Sequence, residues 1–216
     1  MADYPIHIAQ AEHNEEAAKK LAFDPPYHDW GITAAFYSAI HYFESWLFYK
    51  GERHTETSIP SDEEGKLKFT AHGWREKIIV NKLTRAGFKA FRKLRDSSET
   101  ARYLSLARLG TKSIEWLDRP ASQYFKPQHA QKMVEKDLQT LKKELKIDLS
   151  KLLHSLKLQN KTPNALLIIQ QILSRFHSKE SFLNASLNNL KRFMSEDTLS
   201  LLRNQLEQSK ESVKWK

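Results

Sequence analysis

The amino-acid sequence predicts an all-α protein, and three observations carry that prediction. Only 6 Gly and 7 Pro are spread over 216 residues, so few turns are signalled and the segments between them are long. Leu, Ile, Phe and Ala recur at three- and four-residue intervals through most of those segments, which is the period of a helix face. No segment sustains the apolar–polar alternation of a strand. With 40% hydrophobic residues, among them 11 Phe, 7 Tyr and 5 Trp, the chain has enough apolar surface for a packed core.

The first helix is expected over residues 8–22, from Ile8 to Leu21 with Ala9, Ala11, Ala17 and Ala18 along it. Asp24-Pro25-Pro26 ends it, because paired prolines remove backbone donors and clash with a continuing helix. The second runs from about Tyr27 to Tyr49, with Asp29 as its N-cap and Phe36, Ile40, Phe43 and Leu47 as its core stripe. Gly51 to Gly65 reads as a polar loop, long for a compact domain and therefore a candidate functional loop. A third helix is expected from Phe69–Gly73 to about Leu94, with Ile78, Ile79, Leu83, Ala86 and Ala90 on its buried side and Gly87 as its weak point. Asp96-Ser97-Ser98 is expected to break or cap it, a further helix reaching about Leu109 and another helical turn following over Ser113–Asp118.

The stretch from Arg119-Pro120 to Lys126-Pro127 reads as a linker, dividing the chain into residues 1–126 and a basic, leucine-rich region, 127–216. Val134, Leu138, Leu141, Leu145, Leu149, Leu152 and Leu156 lie three or four apart, predicting one long amphipathic helix from Gln128 to Leu158, able to pack as an arm on a partner helix. Thr162-Pro163 opens the next helix, which runs to about Phe176, since proline is favoured at the first helical position. Two more are expected over Ser181–Met194 and Glu196–Val213, Ser195 capping the second.

Charge and composition narrow the function classes. The net charge is +9, and it is unevenly placed: residues 66–112 hold 13 Lys/Arg against 3 Asp/Glu, and residues 127–216 hold 16 against 9. Such a field suits a polyanion, most often nucleic acid. The absence of Cys excludes disulfides, thiolate catalysis and cysteine metal sites. No apolar run approaches the roughly 18 residues that a membrane span needs. The first residues lack the basic start and apolar stretch of a signal peptide, so a cytoplasmic location is expected. No phosphate-binding glycine loop, His-Glu-x-x-His zinc motif or Gly-x-Ser-x-Gly elbow occurs, and the nine His show no metal-ligand spacing. No metal and no cofactor are expected.

Tyr37, His41 and Glu44 stand at i, i+4 and i+7 on the second helix, so a phenol, an imidazole and a carboxylate share one side of an otherwise apolar segment. The string Asp29-Trp30 … Ala35-Phe36-Tyr37-Ser38-Ala39-Ile40-His41-Tyr42-Phe43-Glu44 resembles the second helix of HEPN-type domains, one branch of which carries an Asp-Trp followed by a Phe-Tyr-Ala-Ala-x-His-Tyr pattern. Ala11-Glu12-His13-Asn14 resembles the preceding helix, and His72-Gly73-Trp74-Arg75 the start of the helix after a variable loop. Leu94 to Tyr103 resembles the segment that ends in an Ala-Arg-Tyr or similar. The resemblance covers roughly residues 8–120. It implies an up-and-down helical bundle, often dimeric or part of a larger assembly. Members bind nucleotides or RNA, and many are metal-independent ribonucleases of defence or toxin–antitoxin systems.

The nuclease members carry an Arg followed by a His after four to six intervening residues. No Arg of this chain has a His at that spacing. Metal-independent RNA cleavage still needs a base, an acid and a cation for the crowded phosphate. The candidates for those roles are His41, His54, His72, Arg75, Arg95 and Arg102, with Glu44 to orient one of them, His72 and Arg75 sharing a helix face. The other reading of His41 is a buried polar side chain satisfied by a neighbour such as Glu44 or Tyr37. Lys82, Arg85, Lys89 and Arg92 recur at i, i+3, i+7 and i+10 and would form one basic stripe, with Arg95 beyond it, for contacts to a phosphate backbone. Phe88 and Phe91 beside them are expected in the core. The leading expectation is thus a nucleic-acid-binding protein, with RNA the preferred ligand. A ribonuclease with a non-standard His/Arg site is the first alternative. A helical protein-interaction module built on the 128–158 helix is the second.

Overall fold

The computed structural model describes residues 4–50, 59–64, 66, 68, 71–107, 114–160, 165–177, 181–182 and 185. Among the described residues the fold is all-α apart from one small hairpin. It divides into two compact units, residues 1–145 and 146–216.

The first unit is built around helix α2 (His28–Lys50), which packs antiparallel on α1 (Tyr4–Ala22). α1 offers small side chains at its contact: Ala11, Ala18 and Ala22 are wholly buried. That lets the two backbones approach closely, and the Ser38 hydroxyl donates to the Ala11 carbonyl at 2.8 Å. Gly31 allows the same approach at the other end, since a Cβ there would sit 2.7 Å from the Ala22 nitrogen. The expected stripe of Phe36, Ile40, Phe43 and Leu47 is buried, but so are Ile32, Ala35, Ala39, Tyr42 and Tyr49. α2 is therefore a central helix covered on most of its circumference. It begins at His28, one residue ahead of the expected N-cap, so Asp29 lies inside its first turn. His28 Nε2 meets the Phe125 carbonyl at 2.5 Å and ties the start of α2 to the segment expected as a linker.

The expected third helix is two helices, α3 (Ala71–Lys82) and α4 (Arg85–Tyr103). The chain breaks at Leu83–Thr84, where Thr84 caps α4 by accepting from Gly87 N at 3.3 Å. The Glu144 carboxylate accepts from both the backbone and the hydroxyl of Thr84, and it occupies the space that a side chain on Gly87 would fill. Gly87 is thus a close-approach position in a helix start, not a flaw in a longer helix. α4 runs straight through Asp96-Ser97-Ser98, where a break was expected: Ser98 is buried, and Asp96 pairs with Arg92 and Arg95. The helix ends at Leu104, whose φ of 55° is left-handed and whose N–H reaches the Thr100 carbonyl at 3.0 Å.

Where helix was expected to continue, two three-residue strands follow, β1 (Ser105–Ala107) and β2 (Ile114–Trp116). They pair antiparallel, with Ser105 opposite Trp116 and Leu106 opposite Glu115. Strands this short carry too few side chains for an alternating pattern, which is why the sequence conceals them.

α5 (Ala121–Tyr124) leads into α6 (Pro127–Lys132), a π-helical segment (Met133–Leu138) and α7 (Gln139–Glu144). This stretch packs on α1, α2 and α4 and belongs to the first unit. Ala130, Met133, Val134, Leu138 and Leu141 are core residues, none more than 4% exposed. Polar side chains fasten it too: Lys93 pairs with Asp137 at 2.5 Å, and buried Glu15 accepts from Lys142 at 2.9 Å and Gln139 at 3.1 Å. The expected long helix is interrupted at Lys146, which is left-handed with φ 53°. The leucines that predicted a partner-binding arm up to Leu145 fill this core instead.

The second unit holds α8 (Ile147–Asn160) and α9 (Ala165–Arg175), which pack together. Leu149, Leu153, Ile172, Leu173 and Phe182 are buried, and Phe176 stands edge-on to Phe182 at 5.3 Å between centroids. Most of Gly51–Gly65, including His54, and almost all of the helices expected over 181–213 lie outside the described residues.

Candidate functional site

The polar face of α2 does not act as one group. Glu44, 6% exposed, accepts from Arg75 Nε of α3 at 2.6 Å, in a pair that is almost wholly enclosed. His41 turns the other way, to α1, where its Nδ1 lies 3.1 Å from Nδ1 of His7. One imidazole donates there and the other accepts, so at least the accepting ring is neutral. Burial lowers the pKa of His41, and the charges of His7 and Arg75 lower it further against an opposing pull from Glu44. Tyr37 serves a third partner: its hydroxyl accepts from Arg102 Nη1 at 3.1 Å.

α3 and α4 carry the arginines. Arg75, Arg95 and Arg102 line one cleft of about 130 Å³ together with Glu76, Glu99 and Tyr103, over an apolar floor that includes Phe36 and Phe91. The arginines reach it because 95 and 102 are seven apart on α4, two helical turns along one face, while α3 brings Arg75 from across the cleft. Arg95 is committed to Glu76 and Asp96. Burial alone would lower its pKa, but the hydrogen bond to Asp96 and the charges of Asp96, Glu76 and Glu99 raise it on balance. Arg102 differs. Its partners are the Ser98 carbonyl at 3.2 Å and the hydroxyls of Tyr37 and Tyr103, both at 3.1 Å. Its guanidinium carbon also lies over the ring of Tyr103 at 4.7 Å and of Tyr37 at 5.6 Å. Among the described residues no carboxylate pairs with it.

The expected catalytic set is therefore only partly assembled. Arg75 and Arg102 share the cleft, and Glu44 stands behind Arg75 as its counter-ion. His41 is not among the residues lining the cleft, because its ring is spent on His7. His72 lies in the first turn of α3, and its side chain is outside the described residues. No histidine lines the cleft among the described residues, so the proton-transfer roles sketched for His41 have no group in place. The expected basic stripe is split. Lys82 ends α3, while Arg85, Lys89 and Arg92 belong to α4, so the helical spacing that joined them fails at Thr84. Lys82, Arg85 and Lys89 are exposed; Arg92 faces Asp96 at 3.5 Å, and Arg95 belongs to the cleft. Phe91 is in the core, 5.9 Å from Phe36 between ring centroids, and Phe88 is half-buried.

Sequence reasoning missed three participants. His7 gave no signal, because its pairing depends on how α1 lies against α2. Glu99 was legible as the acid four residues after Arg95, a spacing that brings the two to one helix face, whereas Glu76 reaches Arg95 from another helix and gave no local signal. Among the described residues, no group of three or more His, Asp or Glu could hold a metal ion, and no helix is long and apolar enough to cross a membrane. No protein-family model, no curated protein and no solved structure matches the chain.

Proposed function

We propose that this chain is a HEPN-like, cytoplasmic RNA-binding protein that takes a backbone phosphate in the arginine cleft between α3 and α4. The observation that carries the reading is Arg102, a cation held open in a concave site without a carboxylate partner among the described residues. A planar guanidinium fork matches phosphate oxygens. Tyr37 and Tyr103 fix that fork in advance, which reduces the entropy lost on binding. Arg75 and Arg95 are offset by Glu44, Glu76 and Asp96, so the positive field at the cleft comes from Arg102, and the exposed Lys82, Arg85 and Lys89 supply further positive charge on the surface of the same two helices. The resemblance of the α2 string to HEPN domains supports the same ligand class, a dimeric or larger assembly and a role of the defence or toxin–antitoxin kind. The reading is of binding rather than cleavage, since no histidine lines the cleft among the described residues.

Titrating labelled RNA against the protein at increasing salt tests it. Affinity falls steeply with salt through counterion release. Arg102→Gln weakens binding and reduces the salt slope by about one phosphate contact. Absence of binding to any RNA at low salt defeats the proposal.

A further inference from the structure

Three large aromatic side chains that the core does not use are exposed, one of them in the lining of the cleft. Tyr103, on the cleft rim, is 58% exposed, Trp116 is 69% exposed and Tyr124 is 40% exposed. Two of them are placed together by the backbone. Tyr103 ends α4, Ser105 two residues on pairs with Trp116, and the Leu117 N–H donates to the Leu104 carbonyl at 2.7 Å. The Thr100 hydroxyl, 2.9 Å from the Ser105 carbonyl, anchors the same corner. The hairpin therefore pairs Trp116 with the residue two positions after Tyr103, on backbone that is hydrogen-bonded rather than loose.

One face of Tyr103 is occupied by the Arg102 guanidinium, and the ring as a whole remains more than half exposed. A cation on one face of an aromatic ring with the other side open is a platform for a nucleobase, and the same cation lies where the adjoining phosphate would sit. A duplex keeps its bases stacked on each other and offers no π-face to such a platform, whereas a single strand does.

From this juxtaposition we propose that the ligand is single-stranded RNA, one base stacking on Tyr103 and a neighbouring base on Trp116, with the intervening phosphate on Arg102. The proposal rests on the cleft reading above and adds the strandedness of the ligand and the two residues that select it. Base–aromatic stacking is worth roughly 1–3 kcal/mol per base on truncation to alanine, which is about a 5- to 150-fold loss of affinity for each side chain.

The test is fluorescence anisotropy with an unstructured single-stranded RNA oligomer and a blunt RNA duplex of the same length, at low and moderate salt. The full chain prefers the single strand. Trp116→Ala loses single-strand affinity in the range above and leaves the salt slope unchanged; Tyr103→Ala loses at least as much, because it also frees the Arg102 guanidinium, while Tyr103→Phe and Trp116→Phe keep a ring to stack on and retain most of it. Both side chains are exposed, and circular dichroism confirms that the variants fold. Equal affinity for single strand and duplex, or alanine variants that bind like the parent while Arg102→Gln is impaired, overturns the stacking proposal and leaves the cleft reading standing. No binding of either RNA by the parent chain overturns both.

Discussion

At the scale of single residues, the polar side chains of α2 were visible in the sequence and their partners were not. Tyr37, His41 and Glu44 stack on one side of the helix by spacing alone, yet they serve Arg102, His7 and Arg75, three residues from three other helices. The His7–His41 contact has a consequence for pH. Its rings face each other, with Glu44 of the same helix and Arg75 of α3 as the charged groups around them. Because the pKa of His41 is lowered in the fold, the unfolded chain binds more protons over the interval below the ordinary histidine value. Stability therefore falls as pH drops through that interval and is retained above it. Thermal melts between pH 7.5 and 5 should show this decline, and His41→Asn should flatten it. An unchanged slope in the variant would show that His41 does not couple to folding.

At the scale of elements, helix boundaries were set by contacts from distant parts of the chain. Thr84 interrupts what reads as one helix because Glu144, sixty residues on, accepts its backbone and side-chain hydrogens. The short strands exist because Leu104 turns left-handed and hands the chain to a hairpin. The α1–α2 pair is the element whose packing the sequence came nearest to giving, through its run of small residues. Gly31 is the tightest point of that pair, and the atoms facing it are backbone, which cannot swing aside. Gly31→Ala should therefore destabilise the first unit by roughly 1–3 kcal/mol, the usual cost of overpacking, despite alanine's better helix propensity. Chemical denaturation reads this directly, and a variant as stable as the parent would mean that the two helices can separate without cost.

At the scale of the whole molecule, the chain divides after Leu145 rather than where prolines suggested a linker. Residues 127–144 complete the core on α1, α2 and α4, and Lys142 and Gln139 satisfy the buried Glu15, whose carboxyl also accepts from Tyr42 and Lys19. Burial alone would raise the pKa of Glu15, but those hydrogen bonds bring it down to about 2. A chain ending at 126 loses that core layer and strands a buried charge, a defect usually worth several kcal/mol. It should give no cooperative thermal transition, whereas a chain ending at 145 should melt cooperatively with the helical signal of the first unit. Cooperative unfolding of the 1–126 fragment would refute this account of the boundary.

By itself the sequence determined the all-α class, the proline-marked turn after α1, the core stripe of α2 and the concentration of positive charge, because these depend on local spacing and composition. It also located Arg75, Arg95 and Arg102 without telling which had spare hydrogen-bonding capacity. Only the tertiary structure decided that Arg75 is neutralised by Glu44, that Arg95 is held by Glu76 and Asp96, and that Arg102 stands open between two tyrosines. Periodicity reports which face of a helix is apolar, whereas the pairing of charges depends on which helices meet and at what height, and that is settled by packing across the whole unit.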